Sequence, residues 1–299
     1  MPQSLHGAAL GLFLMSSGCV TGAGLQARQV GVPEVGADRE TPAYRISVTE
    51  PDATVATSLA PLVEAAGPAQ LFVSHASVRC PSEMALVGGR VCVDRWEAHV
   101  VVREGGALRQ RSPYLALDDV TGYRAASRPG VVPQGYVSGR QAERACRASG
   151  KRLCTAAEWE LGCRGSKGGA FPYGRERRAK ACNDDIRSRH PVIEAVTRAG
   201  LSPDQTWKEG MHLPLINQLD DSLLATGARP ECVSEDGLFD MVGNLHEWVA
   251  EADGTFRGGY YMDTSKNGEG CSYQTTAHDF DYHDYSTGFR CCADPEPIE

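Results

Sequence analysis

The chain has 299 residues, a formal net charge of −8 and 41% hydrophobic residues. An acidic surface repels a phosphate backbone, which argues against nucleic-acid binding. No apolar run reaches the ~20 residues that a membrane-spanning helix needs, so no transmembrane helix is predicted.

The 11 cysteines indicate the compartment in which the chain folds. If Cys19 is set aside, ten remain, and an even number suits disulfides in an exported protein. A cytosolic zinc protein is the alternative, but such proteins favour Cys-x-x-Cys pairs and the sequence contains none. The cysteines therefore favour export.

Residues 1–19 have the pattern of an export signal. An apolar stretch from Ala8 to Met15 precedes Ser16-Ser17-Gly18-Cys19, which resembles a bacterial lipoprotein signal. Cys19 would then carry the lipid, and the protein would lie in the periplasm or at the outer membrane of a bacterium. An ordinary secretory signal cleaved nearby is the alternative, because Ser16 stands where lipoprotein signals usually carry an aliphatic residue.

Residues 20–77 are rich in Ala, Gly, Pro and Val and show no sustained helical or strand period. This composition predicts a low-complexity linker, in which a brief helix over Leu59–Ala66 is the one regular element expected. The folded domain is therefore expected over 78–299.

The start of the domain predicts a β-hairpin. Gly88-Gly89 forms a turn signal between two apolar runs. Cys80 and Cys92 bracket the hairpin, so a disulfide between them is plausible. The charged segment Asp94-Arg95-Trp96-Glu97 follows directly and is interpreted as a strand end.

Two short helices are predicted next, each from a capping box. Ser138 with Gln141 opens the first helix, which is expected to stop at Gly150. Thr155 with Glu158 opens the second. The basic pair Lys151-Arg152 between them is interpreted as solvated.

The stretch from Gly237 to Val249 carries polar residues at short, irregular spacing. Asp240 and Glu247 are hard oxygen donors, and the backbone between them would expose the carbonyls of Gly243 and Leu245. Calcium accepts several flexible oxygen ligands, so this pattern indicates a structural calcium site. A tight turn over a buried tryptophan is the alternative.

This stretch, Gly-Leu-Phe-Asp-Met-Val-Gly-Asn-Leu-His-Glu-Trp, resembles the signature of the formylglycine-generating enzyme (sulfatase-modifying factor) family. Further segments match family motifs in the same order. They are Met84-Ala-Leu-Val-Gly-Gly with Cys92-Val-Asp-Arg-Trp-Glu97, Gly150-Lys-Arg-Leu-Cys-Thr-Ala-Ala-Glu-Trp-Glu160, Phe256-Arg-Gly-Gly-Tyr260 and Gly288-Phe-Arg-Cys-Cys-Ala-Asp294. The resemblance implies an α+β, C-type-lectin-like fold that is loop-rich, poor in regular secondary structure and held by disulfides.

The resemblance also implies metal ligands. One calcium ion would take the side chains of Asp240 and Glu247 and the carbonyls of Gly243 and Leu245. A second would take Asn183, with Asp220 as the best candidate for its other side-chain ligand, although the stretch 187–219 departs from the family pattern. A solvated acidic loop is the alternative at this second place.

Two disulfides follow from the same resemblance. They are Cys146–Cys291 and Cys163–Cys271. The pairing of Cys154, Cys182, Cys232 and Cys292 stays open.

The family's enzymes oxidise a substrate cysteine to formylglycine with molecular oxygen, using two cysteines that bind copper. In this chain the first of those positions falls on Asp263 and the second within Lys266–Gly268. Soft thiolates select Cu(I), so the resemblance does not bring copper or any catalytic residue to this chain. Cys271 matches a structural cysteine instead.

Three functions are weighed from these observations. The first is an exported, lipid-anchored, calcium-stabilised binding or structural module without formylglycine-generating activity, whose ligand is a protein or a carbohydrate and whose membrane contact is the anchor alone. The second is a divergent metal-dependent oxidase with iron at His278 and His283. The third is a formylglycine generator that uses Cys271 alone.

Overall fold

The structure is a computed structural model that describes residues 77–184, 187–251, 253–276 and 278–298. The predicted signal with Cys19 lies outside the described residues, as does the predicted linker up to residue 76. In the described ranges, no helix has the length and apolar character needed to cross a membrane.

The described residues form thirteen short strands and three helices. The strands are β1 (Val78–Arg79), β2 (Met84–Val87), β3 (Val91–Asp94), β4 (Ala98–Glu104), β5 (Ala107–Gln110), β6 (Tyr123–Ser127), β7 (Arg152–Leu153), β8 (His246–Trp248), β9 (Phe256–Arg257), β10 (Gln274–Thr275), β11 (Thr287–Phe289), β12 (Cys291–Ala293) and β13 (Glu296–Pro297). The helices are α1 (Gly139–Arg147), α2 (Ala156–Arg164) and α3 (Pro191–Ala199). Short 3₁₀ turns lie at Pro203–Gln205, Glu209–His212, Ile216–Gln218 and Gly270–Ser272. The fold is therefore α+β and rich in loops, as the resemblance implies.

The strands pair into small sheets. Strands β2, β3, β12 and β7 form one antiparallel sheet in that order, β5, β4 and β6 form another, and β1 pairs with β13. The remaining sheet has the order β10-β9-β8-β11, in which β11 runs parallel to β8 and places Gly288 opposite Glu247. This pairing brings the closing Gly288-Phe-Arg segment against the core signature.

The predicted hairpin is present. Strands β2 and β3 pair with Ala85 opposite Val93, and the turn between them holds Gly88 and Gly89 at φ +56° and +68°. Glycine is suited to two consecutive residues with positive φ because it lacks a Cβ atom.

Both predicted helices begin with the expected capping boxes. Ser138 Oγ accepts a hydrogen bond from Gln141 N, while the Gln141 side chain accepts one from Ser138 N. Thr155 and Glu158 make the same reciprocal pair at the start of α2. Each box satisfies two backbone N–H groups that the first helical turn leaves without partners.

The segment that departs from the family pattern forms α3 and the turns that follow it. Val192 and Val196 of α3 pack in one buried cluster with Ile216, Tyr261 and Tyr285. Asn217 ties the segment down, since its side chain donates to Tyr285 O and accepts from the Tyr261 hydroxyl. This segment therefore covers the tyrosines that precede Asp263.

Five disulfides join all ten cysteines of the described residues. The pairs are Cys80–Cys92, Cys146–Cys291, Cys154–Cys292, Cys163–Cys271 and Cys182–Cys232. The three pairs expected from the sequence are among them. The other two resolve the pairing that the sequence left open.

Candidate functional site

A buried arginine lies at the centre of the core signature. The Arg290 side chain donates from Nε and Nη2 to Glu247 Oε2 and Oε1 at 2.6 and 2.7 Å. It also donates to the backbone carbonyls of Phe239, at 2.8 Å, and Asp94, at 3.0 Å. Trp159 Nε1 donates to Glu247 Oε2 at 2.8 Å. Both oxygens of the Glu247 carboxylate therefore accept hydrogen bonds, and the Arg290 guanidinium balances its negative charge.

Two further buried carboxyl groups adjoin this pair. Asp240 Oδ2 accepts from Gly227 N at 2.7 Å, and burial raises the pKa of Asp240 to about 7. Glu97 accepts from Leu245 N at 3.1 Å and from the side-chain amide of Asn244, and burial raises its pKa well above the usual range. Desolvation penalises the charged form, so these two groups hold protons more tightly than exposed carboxyls do.

Charged groups beside β3 and α1 were missed by the sequence analysis. Asp94 is fully buried and accepts a hydrogen bond from Lys151 Nζ at 2.7 Å. The prediction that Lys151 is solvated is wrong, because only 10% of its side chain is exposed and it also pairs with Glu83. Glu97 is the last residue of the Asp94–Glu97 segment, and its side chain is also buried. No local signal in the sequence marks these charges as buried, because each one meets partners that are distant in the chain.

The structure brings the predicted calcium ligands of the core signature into one region. Two neighbouring carboxylates such as those of Asp240 and Glu247 repel each other unless a cation balances their charge. Arg290 supplies such a cation, and both Glu247 oxygens already accept hydrogen bonds from Arg290 and Trp159. Charge balance at Glu247 thus has a source other than a metal, and an ion bound there would compete with the guanidinium. Calcium at Asp240, Gly243, Leu245 and Glu247 stays a prediction.

The residues of the predicted second calcium site differ in burial. Asn183 is buried, and its amide nitrogen donates to Ser222 O and to Asn244 Oδ1 at 2.9 Å each. Its Oδ1 has no hydrogen-bond partner among the described residues, which leaves one oxygen suited to a hard cation. The Asp220 side chain is exposed, while its carbonyl accepts from Arg187. Asn183 therefore fits a metal-binding role better than Asp220 does.

Asp263, at the position that the resemblance assigns to the family's first copper-binding thiol, is buried and hydrogen-bonded. Asp263 Oδ1 accepts from the backbone N–H groups of Ser265 and Lys266, each at 3.0 Å. Asp263 Oδ2 accepts from the Tyr273 hydroxyl at 3.1 Å. Cys271, the nearest cysteine in sequence, is bonded to Cys163.

A buried histidine of the core signature lies in the same part of the fold. The His246 ring lies between Phe256 and Tyr260, with ring centroids 4.6 and 4.8 Å away. Burial lowers the pKa of His246 to about 3, so the imidazole is neutral at physiological pH. Its Nδ1 has no hydrogen-bond partner within the described ranges. His246 acts as an aromatic packing residue here.

The two histidines considered as iron ligands, His278 and His283, have separate partners. His278 stacks on Tyr282, with ring centroids 3.8 Å apart. His283 Nε2 pairs with Asp118 at 3.3 Å, and its ring meets that of His212. Across the part of the chain that the structure describes, no group of three or more His, Cys, Asp or Glu residues is arranged to hold a metal ion. Iron at His278 and His283 stays a prediction.

Several solved structures resemble this chain. PvdO from Pseudomonas aeruginosa is 15% identical, with 69% of this chain and 80% of PvdO covered at a TM-score of 0.41. CarF is 18% identical, with 70% and 87% covered at a TM-score of 0.41. The I1 variant of Major Tropism Determinant is 12% identical at a TM-score of 0.41, with 75% of this chain covered, and the chain spans 55% of that protein's length.

Comparison with curated proteins finds no match. The family model of the sulfatase-modifying factor enzyme 1-like domain matches residues 88–295, which is more than half of the chain. The matched region contains the core signature, both capped helices and the closing Gly288-Phe-Arg segment. The chain therefore belongs to the sulfatase-modifying factor enzyme 1-like domain family.

Proposed function

We propose that this protein is an exported binding module of its family that does not generate formylglycine. The observation that carries the proposal is the state of the cysteines: all ten in the described residues are bonded in pairs. Copper-dependent oxidation of a substrate thiol needs a thiolate pair to hold the metal. A disulfide sulfur has no proton to lose and cannot act as such a ligand.

The environment of Asp263 supports the same proposal. A carboxylate is a hard ligand and a poor match for Cu(I). Asp263 is also fully engaged with Ser265, Lys266 and Tyr273, so it shapes the loop that follows. In this proposal Asp263 has a structural role and holds the loop that follows it, whereas the family's enzymes carry a copper-binding thiol at this position. The scaffold then presents its surface to a protein or carbohydrate ligand.

Co-expression with a sulfatase that carries a Cys-x-Pro-x-Arg motif tests the proposal, with formylglycine read by mass spectrometry. The expected result is no conversion above background. Cys271→Ser and Cys163→Ser are matched variants, because each removes the same disulfide while only the first removes the candidate nucleophile. Conversion that is lost in Cys271→Ser but kept in Cys163→Ser would contradict the proposal.

Export, the lipid anchor and calcium complete the proposal. Palmitate labelling of the protein in bacterial membranes should be lost in Cys19→Ala, since that thiol would carry the lipid. Metal analysis of the purified protein separates the functions: calcium fits the binding module, whereas stoichiometric iron lost with His278→Ala or His283→Ala would favour the divergent oxidase.

A further inference from the structure

A surface cleft of about 420 Å³ is lined by residues other than Asp263 and Lys266–Gly268, the positions assigned to the family's thiols. Two stretches of chain line it, one within 164–178 and the other within 231–235. The first follows Cys163, which is bonded to Cys271, and the second contains Cys232, which is bonded to Cys182. Disulfides therefore anchor both walls, so a ligand would bind with little cost in ordering them.

The cleft is basic although the chain as a whole is acidic. Its lining includes four cationic side chains and two carboxylates. The cations are Arg164, Lys167, Arg175 and Arg178, and the carboxylates are Glu231 and Glu235. If all six are ionised, the local charge is +2 in a chain of net charge −8. A concave surface with a net charge concentrates ligands of the opposite sign.

Both carboxylates of the lining already have partners. Glu231 pairs with Arg178 at 3.1 Å, and Glu235 accepts a hydrogen bond from Ser166 N. Within the described residues, neither Lys167 nor Arg175 is within ion-pair distance of a carboxylate, although Lys167 acts on Glu235 at longer range. These two cations are the ones available to a ligand.

An aromatic wall gives the cleft an apolar side. The Tyr173 ring stacks on Phe171 at 5.4 Å, and the Arg178 guanidinium lies 4.3 Å from the Tyr173 centroid. Pro172 and Val233 extend this wall. Apolar walls with a few fixed polar groups are typical of sites for small organic ligands, and the volume lies in their usual range.

We infer that this cleft binds a small organic ligand with two oxyanion groups, which Lys167 and Arg175 contact while the carbon skeleton lies against Tyr173. Carboxylate, phosphate and sulfate share the chemistry that guanidinium and ammonium groups recognise. The inference rests on the proposed function in one respect, in that both treat the domain as a binding module.

Calorimetric titration of the full chain at low ionic strength tests the inference. The probes are citrate, glucose 1,6-bisphosphate and a disulfated disaccharide, with unsubstituted glucose as the neutral control. At least one anion is expected to bind saturably at one site with a Kd below about 1 mM. The Lys167→Gln/Arg175→Gln variant should lose about ten-fold or more in affinity, while Arg109→Gln, an exposed cation on β5, should not.

Two outcomes would overturn the inference. The first is that none of the anions saturates the wild-type protein up to about ten times that Kd limit. The second is that the anion binds the double variant with the same affinity as Arg109→Gln, and that glucose binds the wild-type protein as tightly as the anion does. Both variants change exposed side chains only, so folding is expected to be intact, and far-UV circular dichroism checks this. The formylglycine assay reads a different part of the chain, so either proposal can fail while the other stands.

Discussion

Replacing Arg290 by methionine should destabilise the protein severely. Methionine keeps most of the side-chain volume but leaves Glu247 buried without its guanidinium partner. Breaking one side of a buried ion pair costs about 3–5 kcal/mol. The change also removes the hydrogen bonds that Arg290 donates to the carbonyls of Asp94 and Phe239. Each carbonyl left buried without a partner destabilises the fold by roughly 1–3 kcal/mol. Since these losses overlap, we expect a total of about 4 kcal/mol or more, a large share of the 5–15 kcal/mol typical of a folded domain.

Denaturant unfolding at pH 7, with disulfides intact and chelator present, measures this loss. Arg152→Met is the matched control, because Arg152 also donates two hydrogen bonds to one carboxylate, that of Glu158, each at 2.7 Å. In contrast to Arg290, 38% of the Arg152 side chain is exposed. An exposed pair of this kind contributes under about 1 kcal/mol. Adding Glu247→Gln to Arg290→Met should recover part of the loss, since the buried charge is then gone.

Equal, small losses of free energy in Arg290→Met and Arg152→Met would refute this reasoning. Because chelator is present in this assay, bound calcium could not explain such a result, which would mean that the buried Glu247 carboxylate does not depend on the Arg290 guanidinium for its charge balance.

Three further predictions concern stability. Burial raises the pKa of Asp94 from 3.8 to about 6, so the folded protein holds this proton more tightly than the unfolded chain does. The resulting contribution to the free energy of unfolding, on the order of 3 kcal/mol, is present below about pH 4 and is lost as the pH rises through 6. Asp94→Asn should remove that part of the pH dependence of unfolding. Gly243→Ala should cost more than about 2 kcal/mol, because φ is +80° and the new Cβ would lie 2.2 Å from a backbone oxygen, whereas Gly89→Ala, at φ +68° in open space, should cost about 1 kcal/mol in the same unfolding assay. If calcium binds the core signature, the thermal midpoint should rise with the logarithm of calcium concentration and Glu247→Gln should reduce that rise, whereas equal midpoints in calcium and in chelator would contradict the site.

Local features were predictable from the sequence because local rules determine them. The Gly88-Gly89 turn and the capping boxes at Ser138 and Thr155 each depend on a few adjacent residues. The resemblance carried the fold class and two long-range disulfides, since collinear motifs report which segments meet.

The buried charges were not predictable in the same way. Glu97 meets Asn244 and Leu245 across sequence separations of 147 and 148 residues. Lys151 finds Asp94 at a separation of 57. No rule of spacing or composition indicates which charges fold inward, because partners at such distances are set by the tertiary fold. The basic cleft has the same origin, since its two walls are distant in sequence and meet only in the structure.

The proposed lack of copper chemistry depends most directly on the absence of a free thiol among the described residues. The decisive measurement is to alkylate the exported protein after denaturation without reduction, and then to map its peptides by mass spectrometry. We predict no alkylated residue among the ten cysteines from Cys80 to Cys292, with each found in the pair that the structure gives it. Alkylation of Cys163 or Cys271 would show a free thiol beside the place of the family's copper site, and would contradict the account.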